Sequence, residues 1–189
     1  MFKLLIAALL AMPVATLAQA PPPPTGFSGT LVSFGDDSVT LKDKDGKTVV
    51  LQMMPGWTVS VARVGDAGAI QPGNFVRTAN APLDDESGKS TELRVLEPGY
   101  RPEEGTHGMG GANIMTHGTV ASAARTDAGV ELQVTYPGGS RRIVIPSDVT
   151  VTFFDLQDRS TLKPGVSVSG VTRKGPDGVP VAGRLVLSK

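Results

Sequence analysis

The chain has 189 residues, with 18 basic and 18 acidic side chains, two histidines and no cysteine. Charge parity excludes the basic surface by which nucleic-acid binders advertise themselves. The lack of cysteine excludes a disulfide framework, a thiol nucleophile and a lipid-anchored N-terminal cysteine.

Lys3, the apolar run Leu4 to Leu10 and then Ala18-Gln19-Ala20 follow the charged, hydrophobic and small-residue order of a secretory signal peptide. Residues 1–20 are therefore expected to be removed, leaving a periplasmic or secreted protein. Pro21 would flank a cut after Ala20, so cleavage after Ala18 is the alternative. The apolar run is too short to span a bilayer and no second one occurs, so no transmembrane anchor is expected after cleavage. Lys3 is the only charge in the leader, so the remainder stands one negative charge from neutrality. Its only basic clusters in sequence are Arg141-Arg142 and Arg173-Lys174. Residues 21–26 open with Pro21 to Pro24, a stiff polyproline spacer.

From Phe27 onward, short β-type runs alternate with turn residues at regular spacing, the pattern of a barrel or sandwich. Strands are predicted over Phe27 to Phe34, Ser38 to Lys42, Thr48 to Met53, Trp57 to Arg63, Asn74 to Ala79 and Thr91 to Leu96, with one helical turn at Asp66 to Ile70. Gly35-Asp36-Asp37 and Asp45-Gly46 are hairpin signals, because Asp-Gly accepts positive φ. Val39, Leu41, Val49, Leu51 and Met53 alternate with polar or smaller residues, so one face of the sheet is buried.

The pattern then returns. Gly29-Thr30-Leu31 matches Gly118-Thr119-Val120, and Val39-Thr40-Leu41 matches Val130-Glu131-Leu132. Past the first hairpin the offset is a constant 92: Leu51 falls on Ile143, Met53 on Ile145, Val59 on Val151, Ile70 on Leu162, and Pro72-Gly73 on Pro164-Gly165. Arg94-Val95-Leu96 is matched with Arg184-Leu185-Val186. A core kept while the loops vary is the mark of duplication. The expected fold is all-β: two tandem small OB-like barrels of five to six strands, domain 1 over 27–97 and domain 2 over 117–189, joined by a Gly/Pro-rich linker at 98–116.

With its opening Gly-Thr, its Val-Thr-Leu strand, the hairpin Asp45-Gly46-Lys47 and the Leu-x-Pro-Gly-x-x-Val turn, each unit resembles the bacterial domain of unknown function DUF5666, the first departing from it at Gly56-Trp57 and the second lacking the Asp-Gly-Lys hairpin. The resemblance covers nearly all of the chain after the leader. It implies a small OB-like barrel of an exported protein, with no established catalytic residues.

Chemistry has few places to sit. His107 and His117 flank the linker, each two positions from a methionine, Met109 and Met115. Imidazole with thioether is a soft set suited to Cu(I), so these four residues are the candidate metal ligands, although no cofactor is required. Asp43-Lys44-Asp45-Gly46 reads as a hairpin turn in preference to a calcium loop. Asp84-Asp85-Glu86 reads as a solvated loop, with weak Ca2+ binding as the alternative. Trp57, Phe75 and Tyr100 are the aromatic candidates for facing a ligand. There is no Gly-x-Ser-x-Gly elbow and no His-Glu-x-x-His helix. The expected function is a non-enzymatic envelope binding or scaffolding protein whose partner is another envelope protein or polymer and not a nucleic acid. A soft-metal protein is the first alternative and an enzyme the second.

Overall fold

The computed structural model describes residues 24–175 and 177–188; the expected leader and the first prolines of 21–26 lie outside the described residues. The chain is all-β. Strands β1 (Thr25–Phe34), β2 (Ser38–Lys42) and β3 (Thr48–Gly65) form a meander. A hairpin of β4 (Phe75–Pro82) and β5 (Ser87–Leu96) follows, then the short β6 (Gly105–Gly108). A second meander, β7 (Ile114–Thr126), β8 (Gly129–Tyr136) and β9 (Gly139–Ile145), leads through β10 (Val151–Gln157) to the hairpin of β11 (Ser167–Lys174) and β12 (Pro180–Leu187).

Local chemistry sets the turns. The Asp43 carboxylate accepts from the backbone N–H of Asp45 and of Lys47, each at 2.9 Å, so it is committed to a hairpin. Asp66 and Asp158 each cap a 3-10 turn, at Ala67–Ala69 and Arg159–Thr161, by accepting from the N–H two residues on. Then come Pro72-Gly73 and Pro164-Gly165, whose glycines sit at φ +89 and +93 as a Pro-Gly turn requires. The strands predicted separately at 48–53 and 57–63 are one. Pro55 and Gly56 bulge against β12, whose pairing advances from Ala182 to Arg184 while β3 advances from Met53 to Thr58.

Pairing then departs from the tandem arrangement. β1 pairs with β11, and β12 pairs in parallel with β3, so β1-β2-β3-β12-β11 close into a five-stranded ring, barrel A. β4 pairs with β7, and β5 pairs in parallel with β9, so β7-β8-β9-β5-β4 close into a second, barrel B. Both have the OB-like order of a three-stranded meander, a fifth strand parallel to the third, and a fourth returning to the first. Residues 27–97 and 117–189 therefore delimit the duplicated units and not the barrels. Each barrel takes three strands from one unit and two from the other.

The seam explains the exchange. β3 is 18 residues long and leaves barrel A antiparallel to β10, with Ala62 opposite Phe154. These two are equivalents at the offset of 92, so a local two-fold relates the halves. Beyond the seam the chain enters the opposite barrel. Ile70 packs in barrel B with Val76, Leu93, Leu132 and Ile143, and Leu162 packs in barrel A with Leu31, Leu41, Trp57 and Leu185. β3, β10 and β5 join both barrels into one twelve-stranded sheet. The stretch 98–116 is correspondingly not a free joint: it holds β6, the start of β7 and the buried Pro102.

One repeat match shifts. Leu93 pairs with Val151 and Leu185 pairs with Val59, so Leu185 answers Leu93 and the offset stays at 92 through β12. A two-residue slip keeps every side chain on its face, which is why the sequence pattern does not detect it.

The repeated Gly-Thr also finds its cause. A Cβ on Gly29 would lie 2.5 Å from the Lys42 carbonyl oxygen, and one on Gly118 2.4 Å from that of Thr135. The strands bend too closely there for any side chain. Gly118→Ala is expected to lower stability by about 1–3 kcal/mol, read as a lower Tm. Gly108→Ala, where no atom lies within 4 Å, serves as the unaffected control; equal Tm values for the two variants would refute the close-approach account.

Candidate functional site

Facing outward from barrel B is one row of three side chains on adjacent strands. Arg94 on β5 pairs with Arg77 on β4, and Arg77 pairs with His117 on β7. Like charges directly opposite destabilise a sheet, so packing does not explain this row. The other barrel supplies the comparison, because the matching row there is Val186, Ser169 and Ser28 in the same register. The fold does not need cations at these positions.

A groove of about 580 Å³ opens between this face and barrel A. Arg173 and Lys174 reach it from β11, Arg184 from β12, and Tyr100, Pro102 and Glu103 from the β5–β6 connection. Two of its arginines are engaged. Arg94 bonds Glu92, and Arg184 Nη1 lies 2.8 Å from the buried Glu97 carboxylate. Arg77, Arg173 and Lys174 have no carboxylate partner among the described residues. Burial, then the nearby Arg94, lowers the pKa of Arg77, yet a guanidinium stays charged at neutral pH. Among the described residues Glu103 is the only acid lining the groove.

The histidines meet here. In the β6–β7 ribbon His107 is opposite Met115 and Gly105 opposite His117, so both imidazoles and the Met115 thioether share a face. The two rings lie 6.1 Å apart. His117 is 8% exposed; its Nδ1 is 2.6 Å from the Glu103 carbonyl oxygen, and its Nε2 is buried with no hydrogen-bond partner among the described residues. A carbonyl only accepts, so Nδ1 carries the proton and the Nε2 lone pair is free. Burial above all, aided by Arg77, His107 and Arg173, holds the His117 pKa below its ordinary value against the pull of the Glu103 carbonyl. The ring is neutral at pH 7. Arg77 Nε–H donates to Met115 Sδ at 3.4 Å.

Other expected site residues lie apart. Met109 is exposed in the turn beyond β6 and does not line the groove. Trp57, 2% exposed, belongs to the barrel A core: its indole N–H donates to the Asp36 carbonyl at 2.9 Å and its ring carries Arg159. Phe75, 4% exposed, packs with Leu96 and Phe154 at the junction. Both are buried, each filling a gap that the folded barrels must close, and Trp57 also edges a small cleft beside Tyr100 and Pro102. Tyr100 alone of the three lines the groove. In the acidic loop, the Asp84 carboxylate accepts from Ser87 Oγ and the Glu86 N–H, while the buried Arg141 takes the carbonyls of Asp84, Asp85 and Ser87. That loop is organised by an internal cation.

Arg77, Arg94 and Arg173 were not legible as a cluster, since the strand pairing assembles them from the β4–β5 hairpin and the distant β11; only the Arg173-Lys174 doublet signalled it. No family model, curated protein or solved structure matches the chain.

Proposed function

We propose that this protein is an exported, non-enzymatic binding module of the DUF5666-like type, whose inter-barrel groove takes an anionic ligand presented by the cell envelope or its surroundings. What carries the reading is the trio of Arg77, Arg173 and Lys174, cations from both barrels turned into one cleft with no carboxylate partner among the described residues. A volume near 580 Å³ has room for on the order of 20 water molecules at the ~30 Å³ each takes in the liquid. That suits a small polycarboxylate, a phosphorylated sugar or the end of an acidic polymer. Nucleic acid fits poorly, since among the described residues Tyr100 is the sole Phe, Tyr or Trp in the lining and strand binding relies on successive stacking platforms. An enzymatic reading gains nothing: among the described residues neither imidazole is hydrogen-bonded to a serine, threonine or carboxylate.

Calorimetric titration with inorganic phosphate and with citrate at low ionic strength tests the reading. Saturable binding is expected, weakening as salt rises. Arg77→Gln is expected to lose about 10- to 100-fold in affinity, the value of one charged hydrogen bond of about 1.5–3 kcal/mol. Absence of binding by both anions, or equal binding by the variant, would remove the groove as the site.

A further inference from the structure

We infer that His107, Met115 and His117 form a binding site for one soft monovalent metal ion, Cu(I) or its analogue Ag(I), in the wall of the groove. The proposal goes beyond the anion reading and does not depend on it.

Its first support is the state of His117. A ligating imidazole characteristically donates its other N–H to a carbonyl or carboxylate, which fixes the tautomer and ring orientation. Glu103 O holds Nδ1 in that way, and it leaves a buried Nε2 lone pair with no hydrogen-bond partner among the described residues. A buried acceptor without a partner costs stability; a metal bond is the interaction it lacks.

The second support is spacing. With metal–nitrogen bonds of about 2.0 Å, an ion sits roughly 3.1 Å from each ring centre, so two imidazoles can share one only when their centres are within about 6.2 Å. The observed 6.1 Å meets that limit at an open nitrogen–metal–nitrogen angle. Of the two, His107 is exposed and its ring can turn toward the ion. Met115 lies directly opposite His107 in the ribbon and brings the thioether to the same face.

Softness and charge then choose the ion. No group of three or more His, Cys, Asp or Glu able to hold a metal occurs among the described residues, which disfavours Ca2+ and a tetrahedral zinc site. Two imidazoles and a thioether suit Cu(I). Coulomb repulsion from Arg77, Arg173 and Lys174 scales with the charge of the ion, so a dication meets twice the opposition a monocation does. Arg77 also competes directly, because its Nε–H engages the Met115 sulfur.

The test is a Cu(I) titration of the whole protein under ascorbate, in competition with a colorimetric cuprous chelator, repeated with Zn(II). One equivalent of Cu(I) is expected, bound more tightly than Zn(II). His107→Ala, which changes an exposed side chain, should lose at least tenfold in affinity, and Met115→Leu about as much, while Met109→Leu should match the wild type. In NMR spectra the His117 ring resonances should move with the first equivalent of Ag(I). Arg77→Gln separates the two readings, since it should weaken phosphate binding and strengthen Cu(I) binding. Unchanged one-equivalent uptake in His107→Ala, uptake by the wild type no greater than by His107→Ala, tighter Zn(II), or equal loss in Met109→Leu and Met115→Leu would each overturn the site.

Discussion

A chain cut once between Gly110 and Gly111 is expected to elute from gel filtration as a single body of the uncut size, and to separate into two fragments only in denaturant. Both glycines are exposed in the turn between β6 and β7, so an inserted protease site there is accessible. The N-terminal fragment carries β1 to β6 and the C-terminal fragment β7 to β12, yet neither owns a barrel. Barrel A needs β11 and β12 beside β1 and β3, and barrel B needs β4 and β5 beside β7 and β9. Separation would strip two strands from each barrel and expose the aliphatic interiors that hold them, at about 25 cal/mol for each Å² of apolar surface. Two barrels built from consecutive sequence would instead drift apart once the connection was cut. Elution as two half-sized bodies without denaturant would refute the exchanged topology.

Glu97→Ala is expected to be the most destabilising exchange at a single polar side chain, costing about 3–5 kcal/mol, the usual result of stripping one partner from a buried ion pair. For a protein of this length that is a fall in Tm on the order of 10 °C. The Glu97 side chain is 0% exposed at the end of β5 in barrel B. Its two oxygens reach barrel A: Oε2 to Arg184 on β12 at 2.8 Å, and Oε1 to the Thr58 hydroxyl on β3 at 3.0 Å. The Arg184 guanidinium is also held over the rings of Tyr100 and Phe154, at 4.3 and 4.4 Å. Without Glu97 that cation keeps its enclosure and loses its counter-charge. The double variant Glu97→Leu/Arg184→Met should recover much of the loss, because an apolar pair of similar volume leaves no charge unpaired. A Glu97→Ala protein melting within 2 °C of the wild type would show that the pair does not lock the barrels.

Much of the framework was legible in the sequence. Alternation of Val39, Leu41, Leu51 and Met53 gave the inward face of barrel A, and the repeat carried it to Val130, Leu132, Ile143 and Ile145 in barrel B. Asp66 and the Pro-Gly pair marked the turn before β4 correctly, since capping and positive φ are local demands. The candidate site was half legible. His107, Met115 and His117 were singled out by residue type, and the β6–β7 pairing brings them together while it leaves Met109 outside. The burial of Trp57 and Phe75 was not legible, because an aromatic residue gives the same sequence signal whether it plugs a core or faces a ligand.

The amino-acid order by itself determined the all-β class, the positions of most strands and turns, and the twofold repeat, because propensity, period and turn chemistry act over a few neighbouring residues. Which copy each closing hairpin joins was decided only in three dimensions. β1 and β7 carry the same Gly-Thr at the same place in the strand, so β4 meets an equivalent partner in either barrel, and local pattern cannot rank the two. The antiparallel run of β3 along β10 breaks that tie by carrying the chain across the seam. The same crossing sets Arg173 of one barrel opposite Arg77 and His117 of the other, and so makes the groove.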